Sequence, residues 1–141
     1  MNKNMNEQVL TIEQMQELIA LGVDTSKASM CWFPMMELDE NMKPVVKSHF
    51  IGVNTIDFDS YWNTIEGQNT IKTFTLQDIL SLLPYSISTT RESYLSILPL
   101  RDGGWYIRYS RMECDEKSTD GKTLLQAAFT MLKWCKQNNY I

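Results

Sequence analysis

The sequence predicts an α+β domain: a single antiparallel sheet of about four strands, built as two hairpins and packed by three helices. Three observations carry the prediction. Three segments place apolar residues at helical spacing, two pairs of strand-like runs are joined by turn residues, and 141 residues is the size of one ordinary domain. The expected unit is therefore residues 1–141, with 1–9 as a flexible lead-in.

The elements follow in order. Thr11 opens the first helix, with Gln14 three residues on as its capping-box partner. Ile12, Met15, Leu18 and Ile19 form its apolar face, and Gly22 is the residue for a left-handed C-cap. Ser29–Leu38 is apolar and aromatic and predicts a strand. Pro34 within it cannot donate to a ladder, which points to an edge or a bulge. Asp39-Glu40-Asn41 is a turn, and Val45–Val53 completes the first hairpin. Residues 54–73 carry no clear period, and a short helix over Asp59–Glu66 is the only element suggested there. Thr75 caps a second clear helix in which Leu76, Ile79, Leu80 and Leu83 share a face, and Pro84 stops it.

Tyr94–Leu100 and Trp105–Met112 are strands joined by Arg101-Asp102-Gly103-Gly104, strong hairpin chemistry. Trp105, Ile107 and Tyr109 share one face of the second strand, and Tyr106, Arg108 and Ser110 share the other. Cys114–Gly121 reads as a charged loop. The last helix runs from about Lys122 to Asn138, with Thr119 or Asp120 as its N-cap. Leu124, Leu125, Ala128, Met131, Leu132 and Cys135 make its broad apolar arc, with Phe129 and Trp134 on the flanks.

Composition narrows the function classes. Hydrophobic residues at 43% and charged residues at 21% exclude a disordered tail or a disulfide miniprotein. Thirteen Lys+Arg against 17 Asp+Glu leave a net charge of −4, which disfavours a protein that grips a nucleic-acid backbone. Cys31, Cys114 and Cys135 are odd in number and widely spaced, so no disulfide framework is expected. The polar stretch Met1–Gln8 has no signal-peptide core, and no apolar run is long enough to span a membrane. The expected location is the cytoplasm.

Four constellations could carry chemistry. Gly121-Lys122-Thr123 resembles the end of a phosphate-binding loop, but Glu116 stands where the motif needs its first glycine. His49 is the only histidine, and the first hairpin could bring it to Cys31 as a nucleophile–base pair, although Cys31 sits in an apolar strand. A zinc site would need Cys31, His49, Cys114 and Cys135 to converge without any close ligand pair. Asp57 and Asp59 are the most suggestive carboxylate pair, and a solvated turn also accounts for them. No catalytic, cofactor-binding or metal-binding set is assigned, and no cofactor is expected.

The most uneven feature is arginine. Arg91, Arg101, Arg108 and Arg111 all fall within 21 residues, interleaved with Tyr94, Trp105, Tyr106 and Tyr109. Arg and aromatic side chains anchor binding surfaces and also suit single-stranded nucleic acid. Glu92, Asp102 and Glu113 reduce segment 91–113 to a net +1. Arg101, Tyr106, Arg108, Arg111, Phe129 and Trp134 form the candidate binding surface. Methionine is abundant, with Met30, Met35 and Met36 in one strand.

The segments LTIEQMQELIALGVDTSKASMCW, TFTLQDILSLLP, GGWYIRY and TLLQAAFTMLKWC resemble a group of small uncharacterised proteins encoded in prophages and mobile elements of gut bacteria. The similarity spans residues 10–36 and 73–137, leaving 37–72 unplaced. The resemblance implies a one-domain architecture and carries over no functional residue. The expected function is that of a non-enzymatic cytoplasmic accessory protein acting by protein–protein interaction or self-association. The alternative is a nucleic-acid-binding module using the Arg/aromatic hairpin 91–111.

Overall fold

The first helix, α1 (Ile12–Ala20), begins at Thr11, whose hydroxyl accepts from Gln14 N at 3.2 Å while Gln14 Oε1 accepts from Thr11 N at 2.9 Å. Both halves of the expected capping box are present, so two otherwise unpaired amides are satisfied. Gly22 (φ +83°) ends the turn, and Met15 and Leu18 are buried, whereas Ile19 of the same arc stays exposed.

The remaining elements are β1 (Met30–Leu38), β2 (Pro44–Val53), α2 (Ile65–Gln68), β3 (Ile71–Thr73), α3 (Leu76–Leu82), β4 (Ser86–Ser88), β5 (Glu92–Pro99), β6 (Trp105–Arg111), β7 (Cys114–Gly121) and α4 (Leu124–Gln137). The computed structural model describes residues 7–54, 61, 64–88, 91–112 and 114–141. Asp57, Asp59 and most of the helix expected over 59–66 lie outside the described residues; within them, the helical turn is Ile65–Gln68.

The α+β class, the antiparallel pairing and both hairpins hold. The strands, however, divide between two sheets. One has the order β2-β1-β3 and the other β4-β5-β6-β7. The three-residue strands β3 and β4 and the polar strand β7 account for the extra members. The segment expected as a charged loop is therefore β7, paired with β6 from Arg111↔Cys114 to Trp105↔Gly121. Because β7 continues to Gly121, the N-cap of α4 is Thr123, not Thr119 or Asp120. Thr119 instead turns inward and donates to Ala127 O at 2.9 Å.

The main core lies between the four-stranded sheet and helices α1, α3 and α4. Leu10, Met15, Leu18, Phe74, Ile79, Ile107, Met131 and Leu132 are all fully buried there. Tyr109 links its layers: its hydroxyl donates to Pro84 O at 2.7 Å and receives the Cys135 thiol, and its ring lies against Trp134. Val9, the last residue of the expected flexible lead-in, is instead buried and bridges to Thr75. Leu10 O accepts from both Trp32 Nε1 at 2.9 Å and Thr73 Oγ1 at 2.7 Å, tying the base of the first sheet to the core.

Candidate functional site

The base of the first hairpin is anchored, but its outer part is not. β3 pairs only with Met30, Cys31 and Trp32, so among the described residues no strand pairs with β1 on that side from Phe33 onward, although the Tyr61 ring lies edge-on to Phe33 at 6.4 Å. Pro34 falls in this uncovered half, next to a bulge between Met35 and Met36 in which Lys47 is the extra residue. That placement fits a residue with no N–H to give. Beyond β3 the two strands form an arm, closed at the tip by Asp39. Its carboxylate accepts from Asn41 N and Lys43 N at 2.8 and 2.9 Å, and Met42 there takes φ +60°.

The arm is apolar on both faces. The register places Met35, Val45 and Phe50 on one face and Leu38, Val46 and Val53 on the other. All six are exposed; Phe50 is 50% accessible, Leu38 and Val53 58%, and Met42 at the tip 72%. Single apolar residues on a surface need no explanation, whereas several on one projecting element make a candidate interaction surface. Phe33 stacks on Phe50 with ring centroids 5.6 Å apart and lies over Gly52, whose missing Cβ would stand 2.6 Å from the Phe33 ring. Charge on the arm is low: Glu37, Asp39 and Glu40 against Lys43 and Lys47, with Lys47 Nζ paired to Glu37 at 2.8 Å.

The four sheet edges differ sharply. β3 and β4 are each three residues long, and β7 is lined with Asp115, Glu116, Lys117 and Asp120. Short and charged edges resist pairing with another chain. The remaining edge, β2, is ten residues long, carries Val45, Val46, Phe50, Ile51 and Val53, and has no strand beyond it among the described residues.

The arginine-rich hairpin has a different character. Tyr106 and Arg108 lie on the face of the four-stranded sheet turned away from α4. The Arg108 guanidinium there is already engaged by Ser96 Oγ at 3.1 Å, Tyr106 OH at 3.1 Å and Asp115 Oδ1 at 3.3 Å. Arg101 projects from the β5–β6 turn, and Arg111 has the opposite strand parity from Arg108. Phe129 is buried in α4, with Lys133 Nζ 5.3 Å from its ring centre. Trp134 is half-buried between Tyr109 and Tyr140, with Lys117 over its ring. The six candidate residues thus do not share one surface: Tyr106 and Arg108 are neighbours, while Phe129 and Trp134 belong to the helix on the other side of the sheet.

The other constellations are also resolved by position. Cys31 pairs with Gly52 and His49 with Pro34, three residues along the ladder, so the two side chains point to opposite faces and form no dyad. Burial pushes the Cys31 thiol up to about 11, against a smaller opposing effect of Lys72, which keeps it protonated at neutral pH. Cys135 is buried beside Tyr109, whereas Cys114 is exposed. Among the described residues, no three His, Cys, Asp or Glu side chains gather. Gly121-Lys122-Thr123 is the junction of β7 and α4, where Gly121 allows the backbone to pass close to Ala127 N. Two surface grooves, of about 690 and 650 Å³, are lined by neither Cys31 nor His49.

Among the described residues, the fold and the arm define an α+β domain with two antiparallel sheets and one open, apolar edge. No family model, curated protein or solved structure matches the chain. No helix of the described residues is long and apolar enough to cross a membrane.

Proposed function

We propose that the chain is a non-enzymatic protein-binding module that docks through the β1–β2 arm. The single observation behind this reading is the arm itself: six exposed apolar side chains on two faces of a hairpin whose outer strand is, among the described residues, an unpaired ten-residue edge. An edge of this kind binds by strand addition, in which main-chain hydrogen bonds supply affinity and alternate side chains supply selectivity. A cytoplasmic accessory role in a mobile element is compatible with such a module. The nucleic-acid alternative is less well supported. Arg108 is committed to three partners, and Glu92, Asp115 and Asp120 lie among the same strands.

A photo-crosslinking residue placed at Val46 on the arm, compared with one at Ser96 on the open sheet face, tests the reading in cells. Discrete adducts are expected from position 46, lost when Phe50→Glu is added. Adducts confined to position 96 would overturn it.

A further inference from the structure

We infer that the outer face of the four-stranded sheet is a second docking surface, and that its partner is a basic polypeptide segment with two Arg or Lys side chains roughly 20 Å apart. The inference is independent of the arm. The ladder fixes what this face presents. Tyr94, Ser96 and Leu98 of β5 stand opposite Ser110, Arg108 and Tyr106 of β6, and these stand opposite Asp115, Ser118 and Asp120 of β7. Glu92 joins them two residues before Tyr94. These strands bring three carboxylates to the face against one guanidinium. Arg111 has the opposite parity, Lys117 lies over Trp134 on the helix side, and Asp102 offsets Arg101 in the adjoining turn.

The face itself shows how it holds a cation. The Arg108 guanidinium lies 5.7 Å from the centre of the Tyr106 ring and donates to Tyr106 OH, Ser96 Oγ and Asp115 Oδ1. A carboxylate, a tyrosine and a hydroxyl make that site, and the same three groups recur at Glu92. Glu92 Oε1 accepts from Ser86 Oγ at 2.8 Å and Oε2 from Tyr94 OH at 2.9 Å. The exposed Tyr94 and Tyr85 rings meet edge-on with centroids 5.6 Å apart. The carboxylate and the ring faces are thus set in place before a cation arrives. Asp120, directly across from Tyr106, makes a second station. Among the described residues neither Glu92 nor Asp120 takes part in an ion pair, and Arg91 beside Glu92 in sequence supplies none. The two stations lie six ladder positions and two strands apart, a span that about seven extended residues cover. The same acids repel a phosphate backbone.

Titration of the full-length chain with an acetylated, amidated peptide Arg-Ser-Ser-Gly-Ser-Ser-Arg, followed by amide NMR shifts, tests the proposal. Saturable shifts confined to β4–β7 are expected, with a Kd on the order of 1 mM at low salt that rises as salt is added. Glu92→Gln and Asp120→Asn, both at exposed positions, should each weaken binding about fivefold. Arg108→Gln releases Asp115 and should tighten binding, the opposite of its effect on a nucleic-acid site. Three results overturn the proposal: no shifts at about 10 mM peptide, equal affinity in Glu92→Gln, Asp120→Asn and the wild type, or loss of binding in an Arg108→Gln chain that keeps its native spectrum. A single-stranded oligonucleotide that shifts the same amides at lower concentration than the peptide also overturns it.

Discussion

Asp78 accepts hydrogen bonds from Ser29 N at 3.0 Å, from the Ser29 hydroxyl and from Thr75 N at 2.9 Å. One carboxylate thus completes the capping box of α3 and fastens the start of β1. Burial works to raise its pKa, but the hydrogen bonds from Ser29 and Thr75 outweigh it and hold the group below its ordinary value. A carboxyl with a lowered folded-state pKa stabilises the fold above its unfolded-state pKa, and the contribution is lost as pH falls through the folded-state value. Asp78→Ala should therefore cost about 1–3 kcal/mol at neutral pH and much less in acid, measured by urea titration at both. Gly52 makes a steric demand instead. Gly52→Ala drives a methyl into the Phe33 ring and should cost about 1–3 kcal/mol, with the Phe33–Phe50 stack displaced. Equal urea midpoints for this variant and the wild type would refute that account.

The helices announce themselves because their signals are local. Thr11 with Gln14, Thr75 with its helical leucines, and Pro84 each act within one or two turns, and all three are where the spacing places them. Strand β7 is hidden for the opposite reason. In Cys114–Gly121 only Thr119 is buried, so no apolar alternation shows; the strand exists because β6 pairs with it and α4 covers one face. Because β7 runs on to Gly121, the cap of α4 falls at Thr123. Thr123 accepts from Gln126 N at 3.1 Å, and Thr123→Ala should lower stability by about 1 kcal/mol in thermal or chemical unfolding, whereas Asp120→Ala should be near neutral. Strands β3 and β4, at three residues each, are too short for any period to register. The arm was half legible: the hairpin and its Pro34 irregularity were readable, but its exposure was not. An apolar strand looks the same in sequence whether a core or empty space lies beside it. The arginine cluster stood out through composition, which is blind to Ser96 and Asp115 arriving from neighbouring strands to occupy Arg108.

At the scale of the molecule, burial divides the three thiols. Cys31 and Cys135 are fully buried, desolvation raises the pKa of both, and Cys114 stands in solvent. The native chain should expose one titratable thiol to a membrane-impermeant dye and three after denaturation. A second fast-reacting thiol in the native state would mean that the core or the base of the arm opens readily. The edges of the two sheets carry a separate implication. Extended growth of strands into fibres requires each copy to offer two compatible edges, one for the copy before and one for the copy after. Among the described residues, this chain offers one long apolar edge. Pro34 and the adjacent bulge interrupt the other side of the arm, and the far sheet ends in a three-residue strand and a charged one. A strand added to β2 would use up that edge, and growth would stop there instead of running on into a filament.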